Sequence, residues 1–305
     1  MSDPGSRTVR PLLPVDVGLT LGALRRGRGD PSMRILPGHG EAWRATRTPD
    51  GPVTTHVRVL RGAGEVTMTA WGPGAAWSLD HLPELVGADD DEAGFDPGAG
   101  LVGELRRRLP GLRMSRSGAV MEALVASILE QKVVGIEARR SWAALVRSLG
   151  EPAPGPGGLR VPPSAVVLAA TPVWTFHRAG VERKRADTIR LACSYAHRLE
   201  ETATMTPHDA RRRLTALPGI GPWTAAEVAL VALGDPDAVS VGDYHLPHQV
   251  AWALAGEARA DDDRMLELLA PWAGNRGRVI RLISHGADAA PRFGPRMPLR
   301  SIAGT

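Results

Sequence analysis

Apolar and polar positions alternate in two short stretches near the start of the chain. In Val53-Thr54-Thr55-His56-Val57-Arg58-Val59, residues Val53, Val57 and Val59 share one face. Glu65-Val66-Thr67-Met68-Thr69-Ala70-Trp71 repeats the pattern after a turn at Gly62 and Gly64. The turn Pro49-Asp50-Gly51-Pro52 precedes the first strand, and Gly72-Pro73-Gly74 ends the second. With helices expected at 19–26 and 80–86, these strands predict a small α+β unit over residues 1–88. The run Asp89-Asp90-Asp91-Glu92 then reads as an acidic, solvated linker.

From about residue 96 the period turns helical. Val120, Met121, Leu124, Val125, Ile128 and Leu129 form a one-sided apolar stripe. Residues 150–163 hold five prolines and four glycines, which predicts a loop. Helical patterns follow at 164–170, 183–199, 207–216, 222–233, 246–254, 262–269 and 276–285, with no strand pattern among them. The expected fold is therefore mainly α, a helical region over 89–305 preceded by the small α+β unit. No repeat of ~20–50 residues suggests a solenoid.

Composition narrows the function classes. At 305 residues, with 43% apolar and 23% charged residues, the chain has an ordinary globular balance. No window approaches the ~18–20 apolar residues of a membrane-spanning helix, and the first residues carry no basic-then-apolar signal pattern. One cysteine, Cys193, excludes an internal disulfide framework and a four-thiolate zinc or iron–sulfur site. A monomer in the bacterial cytosol or nucleoid, with no membrane association, is the expectation. The net charge of +4 is compatible with a polyanionic partner and too small to demand one. Only Lys132 and Lys184 are lysines; the other 35 basic residues are arginines.

Candidate chemistry concentrates at 206–245. Thr206-Pro207-His208-Asp209 opens a helix, with Thr as N-cap and Pro in the first turn. Leu217-Pro218-Gly219-Ile220-Gly221 ends it, and Pro222-Trp223-Thr224-Ala225 begins another. A hairpin with two such glycines exposes backbone N–H groups at a helix start, where free donors and the helix dipole favour a phosphate. On these residues alone, a plain αα-hairpin with a glycine cap fits equally.

The string Leu-Pro-Gly-Ile-Gly-Pro-Trp-Thr-Ala at 217–225 resembles the hairpin of the helix-hairpin-helix (HhH-GPD) DNA glycosylases, within the hairpin span 207–233. Asp243, in Val241-Gly242-Asp243-Tyr244-His245, stands where that family's essential aspartate is expected. Ser127-Ile128-Leu129-Glu130-Gln131 resembles its early helix, and the overall order matches its bacterial 3-methyladenine branch. The resemblance implies base excision repair: a DNA glycosylase that flips a damaged base out of duplex DNA and hydrolyses its N-glycosidic bond. Asp243 would stabilise the oxocarbenium-like transition state and position water; its alternative is an N-cap. Trp223 occupies the position of the lysine that bifunctional members use, which implies a monofunctional enzyme. Gly219, Gly221, Thr224, Gln131 and Lys132 would contact DNA, with Gln131 or Lys132 as the wedge that fills the gap.

Trp223, Tyr244 and Glu227 would line the base pocket, where aromatic faces suit a cationic alkylated purine. Ser284 aligns where the alkylation branch can carry a tryptophan. No cofactor is required, though the carbonyls of Thr215, Leu217 and Ile220 are candidate ligands for a sodium or potassium ion. His245 and His248 lack the partners that would complete a zinc site. Arg183-Lys184-Arg185 and Arg211-Arg212-Arg213 are candidate phosphate contacts. Two rival readings are a non-catalytic hairpin DNA-binding protein and a glycosylase for a deaminated or bulky lesion.

Overall fold

The alternating stretches pair as expected and recruit three further strands. In the computed structural model, which describes residues 4–38 and 40–291, β1 (Gly5–Val9), β2 (Met33–Ile35), β3 (Glu41–Thr48), β4 (Gly51–Leu60) and β5 (Glu65–Trp71) form one antiparallel sheet, in the order β1-β5-β4-β3-β2. Val57 faces Met68 and Ala42 in register. With Val17, Leu21 and Leu82 they make a core in which each is essentially inaccessible to solvent. Helices α1 (Val17–Leu21), α2 (Ala75–Asp80) and α3 (Leu82–Leu85) belong to this layer. The helix expected at 19–26 starts two residues earlier, where Asp16 caps it by accepting the Leu19 N–H at 2.9 Å.

Helices α4 (Leu101–Arg108), α5 (Val120–Glu130) and α6 (Gly135–Leu149) follow. The stripe on α5 is buried as expected, but so are Ala123, Ala126 and Ser127 between its members. The helix is therefore wrapped on every side rather than amphipathic. Residues 150–163 are not a free loop. Two short strands, β6 (Glu151–Pro152) and β7 (Arg160–Val161), pair with each other, and Leu159 and Val161 pack on Ala45 and Trp43. The proline-rich segment thus covers the second face of the sheet.

The remaining helices are α7 (Ala165–Ala170), α8 (Val173–Arg178), α9 (Arg183–Ser194), α10 (Ala196–Glu200), α11 (Pro207–Thr215), α12 (Pro222–Val228), α13 (Leu246–Ala255), α14 (Asp262–Leu269) and α15 (Arg276–Gly286). They divide between two cores. One surrounds α5 and includes Phe176, Ile189, Leu214 and Val228. The other joins α4 to α13, α14 and α15 through Leu105, Val250, Met265 and Leu282. A π-helical turn, Ala229–Leu233, continues α12 and carries Val231 into the core of the sheet layer. Among the described residues, no helix is long and apolar enough to cross a membrane.

Only half of the acidic run at 89–92 is solvated: Asp89 and Asp91 are exposed, whereas Asp90 and Glu92 are turned inward. Asp90 takes a two-pronged bond from Arg278 at 2.6 and 2.7 Å and also accepts the Met114 N–H at 2.9 Å. Glu92 accepts from Arg113 at 2.6 Å, from Arg278 at 3.0 Å and from Arg106 at 2.7 Å. The Arg278 and Asp90 side chains are only 1% and 4% exposed. Charges this deep persist only when every donor and acceptor is met, and this cluster ties the start of α15 to α4 and to the segment leaving the sheet. Removing one partner strands the others, so Arg278→Ala is expected to cost about 3–5 kcal/mol, read as a lower urea midpoint at unchanged slope.

Candidate active site

The hairpin begins as its sequence dictates. Thr206 accepts the Asp209 N–H at 3.2 Å and Pro207 opens α11. The chain then reverses at Gly219, whose φ of +89° is costly for any residue with a side chain. A Cβ there would also lie 2.7 Å from Thr188 Oγ1 on α9. Gly221 differs: its φ is −94°, and a Cβ would meet open space. The two glycines that read alike in the sequence therefore serve different ends, one structural and one leaving a clear approach to the start of α12. The amides of Gly219, Gly221 and Thr224 donate to no acceptor among the described residues.

The end of α5 braces this turn. Gln131 donates to the Gly219 carbonyl at 3.0 Å and to Thr224 Oγ1 at 2.9 Å, spending both amide protons on the hairpin. Lys132 beside it is exposed and has φ +55°, the one positive φ of a non-glycine residue among those described. Of the two wedge candidates, Gln131 is turned inward and Lys132 stands out from the surface. A groove of about 580 Å³ opens next to the hairpin, between Pro218 and Gly219 on one side and Arg183, Lys184 and Thr188 on the other.

Not every expected phosphate contact is available. Arg185 is buried and donates to the Leu129 carbonyl at 2.7 Å, closing the C-terminus of α5. Arg211, Arg212 and Arg213 face Asp235, Asp209 and Glu201 at 3.5, 3.1 and 2.8 Å. Arg183 faces Asp187 at 3.6 Å. Lys184 is exposed and has no ion pair among the described residues.

Asp243 joins the two helical cores. Its Oδ1 accepts the N–H groups of His245 and Leu246 at 2.8 and 2.9 Å, so it ties down the start of α13, although the N-cap position itself belongs to His245. Its Oδ2 accepts Trp223 Nε1 of α12 at 3.0 Å. The loop that delivers it is fixed from α15. Arg276 bonds both oxygens of Asp237, at 2.8 and 2.5 Å, and the Arg278 N–H reaches the Pro236 carbonyl at 2.9 Å. Gly277 makes this approach possible, because a Cβ there would sit 2.6 Å from the Ala238 carbonyl oxygen.

One helical turn from Trp223, Glu227 is half-buried, and one of its oxygens accepts the Ser240 hydroxyl at 2.5 Å. Burial pushes its carboxyl above the ordinary carboxylate range, against the Ser240 hydrogen bond and the Arg26 charge, while the negative charges of Glu130 and Asp243 add to the rise. Arg26 stands 3.7 Å from Glu130. Tyr244 is 78% exposed and meets His245 edge-on at 4.9 Å. Ser284 is exposed on α15, and His248 accepts the Ala260 N–H at 3.1 Å. The structure thus brings together Trp223, Glu227 and Asp243, and separately Gln131, Gly219 and Thr224. Ser240, Glu130 and Arg26 were not singled out from the sequence, and no spacing signals them.

A five-stranded sheet beside two helical cores, with a hairpin and an aspartate at their seam, gives a fold similar to those of solved DNA glycosylases. The 3-methyladenine DNA-glycosylase from Archaeoglobus fulgidus superposes with a TM-score of 0.76 over 92% of this chain and 98% of its own, at 18% identity. An 8-oxoguanine glycosylase/lyase from Clostridium acetobutylicum, in complex with double-stranded DNA containing cytosine opposite 8-oxoG, gives 0.67 over 92% and 96% at 12% identity. By sequence, the chain is 32% identical over 169 residues to a probable bifunctional transcriptional activator/DNA repair enzyme AlkA of Mycobacterium tuberculosis. That match takes in 55% of this chain and spans about a third of the relative, 32% of its length. No family model matches the chain.

The two hairpin glycines make a discriminating pair. Gly219→Ala is expected to lose ~1–3 kcal/mol of stability to backbone strain, whereas Gly221→Ala stays within about 1 kcal/mol of the parent. Urea unfolding of both variants checks this.

Proposed function

We propose that the chain is a monofunctional DNA glycosylase of base excision repair, which hydrolyses the N-glycosidic bond of an alkylated purine flipped out of duplex DNA. The observation that carries this reading is the carboxylate of Asp243, held by three N–H donors at the junction of the hairpin helix and α13. As the C1′–N bond breaks, positive charge grows on the sugar. A fixed anion beside it lowers the barrier without reorganising in the act. The same oxygens can orient the water that adds to C1′ and receive its proton.

The remaining residues supply binding. The unpaired amides of Gly219, Gly221 and Thr224 suit a backbone phosphate, with Lys184 in the adjoining groove adding charge. Lys132, exposed on its left-handed turn, is the side chain fit to enter the duplex where the base has left. Trp223 and Tyr244 offer aromatic faces to the extruded base. Trp223 also stands where a Schiff-base lysine would be needed, and Lys132 and Lys184 lie on other segments, so strand nicking is not part of the reading. The carbonyls of Thr215 and Ile220 accept no N–H group among the described residues, and that of Leu217 accepts only the Ile220 N–H at 3.0 Å. Three such oxygens fit a sodium or potassium ion, which would add positive charge where the DNA backbone passes. The protein would act as a monomer.

Replacing the carboxylate isolates the chemistry. With methylated duplex DNA, the parent is expected to release 3-methyladenine or 7-methylguanine, quantified by mass spectrometry. Asp243→Asn should slow release by ~10²-fold or more while still binding duplex DNA. Unchanged release would overturn the assignment of Asp243, and intact duplex binding without any release by the parent would favour a protein that only binds.

A further inference from the structure

Two carboxylates are held side by side, on two rungs of one ladder between α12 and the loop before α13. Trp223 and Glu227 are separated by one turn on α12, so they point the same way with about 5–6 Å between their Cβ atoms. Opposite them, Ser240 and Asp243 are joined by a turn in which the Asp243 N–H reaches the Ser240 carbonyl at 3.2 Å. The first rung is Trp223–Asp243 at 3.0 Å and the second is Glu227–Ser240 at 2.5 Å. Their surroundings differ in kind. Three N–H donors meet Asp243, the solvation an anion needs. Glu227 receives one hydroxyl on Oε1, and Oε2 makes no hydrogen bond among the described residues. It is also burdened by the nearby negative charges of Glu130 and Asp243, offset in part by Arg26. Paired carboxylates whose environments differ in this way commonly divide into an anion and an acid.

We infer that Glu227 is a second catalytic residue, the general acid that protonates a departing base which carries no positive charge of its own. This rests on the glycosylase reading above. A cationic base such as 7-methylguanine leaves as a neutral molecule and needs no proton. An uncharged base such as the hypoxanthine of deaminated adenine leaves as an anion unless a proton reaches it. In the step, the C1′–N9 bond breaks and its electron pair stays on N9. The Oε2–H proton of Glu227 passes to a ring nitrogen of the base. Water adds to C1′ and gives its proton to Asp243, from which it is lost to solvent, and Glu227 regains a proton from solvent. One water is consumed, and no oxidant or reductant is needed.

Single-turnover release from duplexes carrying either hypoxanthine or 7-methylguanine tests the assignment. The parent should release both, with hypoxanthine release falling as pH rises through the elevated Glu227 titration. General-acid catalysis typically contributes ~10²–10⁴-fold, so Glu227→Gln should lower the hypoxanthine to 7-methylguanine rate ratio by about a hundredfold or more and flatten that pH limb. Ser240→Ala removes the hydroxyl that favours the anion, so it should move the limb to higher pH; this outcome decides the matter if Glu227→Gln fails to fold. Equal losses on both bases, or an unmoved pH limb in Ser240→Ala, would overturn the role of Glu227. So would release of 7-methylguanine without hypoxanthine by the parent. Release of neither base by the parent would overturn the glycosylase reading, and this assignment with it.

Discussion

A helix buried on every side has to find partners for its terminal backbone groups, and α5 finds them in charged residues from elsewhere. At its N-terminus Ala119 offers no side-chain cap, and the carboxylate of Glu200 accepts the Met121 N–H at 3.1 Å. At its C-terminus Arg185 donates to the Leu129 carbonyl at 2.7 Å. The signs suit the helix dipole, negative at the amino end and positive at the carboxyl end. Because both ends are closed, the helix can serve as a fixed post through the larger helical core. Everything attributed to the hairpin hangs from its far end, where Gln131 holds Gly219 and Thr224 and the chain turns outward at Lys132.

The second requirement is that Asp243 reach this post from a different core. A loop such as the twelve residues 234–245 would ordinarily sample many positions, at an entropic cost of about 1–2 kcal/mol per residue when fixed. Here α15 holds it at several points, through Arg276 on the Asp237 carboxylate, the Arg278 N–H on the Pro236 carbonyl and the close approach at Gly277. Arg278 then carries the constraint inward, since its guanidinium is the one bonded to Asp90 and Glu92. The geometry around the carboxylate and the integrity of the buried ion cluster are thus parts of one mechanical path.

The parts legible in the sequence were those whose cause is local. The turn chemistry of 206–225 and the alternation of β4 and β5 depend on neighbours within a few residues, and the structure follows them. Strand β3 was not legible because Arg44, one of its buried residues, satisfies itself on Glu122 at 3.0 Å and so breaks the apolar rhythm. The inward turn of Asp90 and Glu92 and of the arginine at 185 was not legible for a related reason. Charge next to charge looks solvated until the partner arrives from far along the chain, 188 residues away for Asp90 and Arg278. At the site, the family resemblance supplied Asp243, and the pairing of Glu227 with Ser240 came only from folding α12 against its loop.

The π-helical turn at Ala229–Leu233 gives α12 a role beyond bearing the hairpin. A widened turn accommodates a surplus residue, and each residue advances an α-helix by about 100°. Val228 and Ala232 therefore remain in the helical core while Val231 is rotated into that of the sheet layer. The turn works as a coupling between two gears of different pitch. A sequence that lost the surplus residue would have to choose which of the two cores to keep in register. The amino-terminal sheet, to which no chemistry is assigned, is in this way keyed to the same helix that presents Trp223 and Glu227.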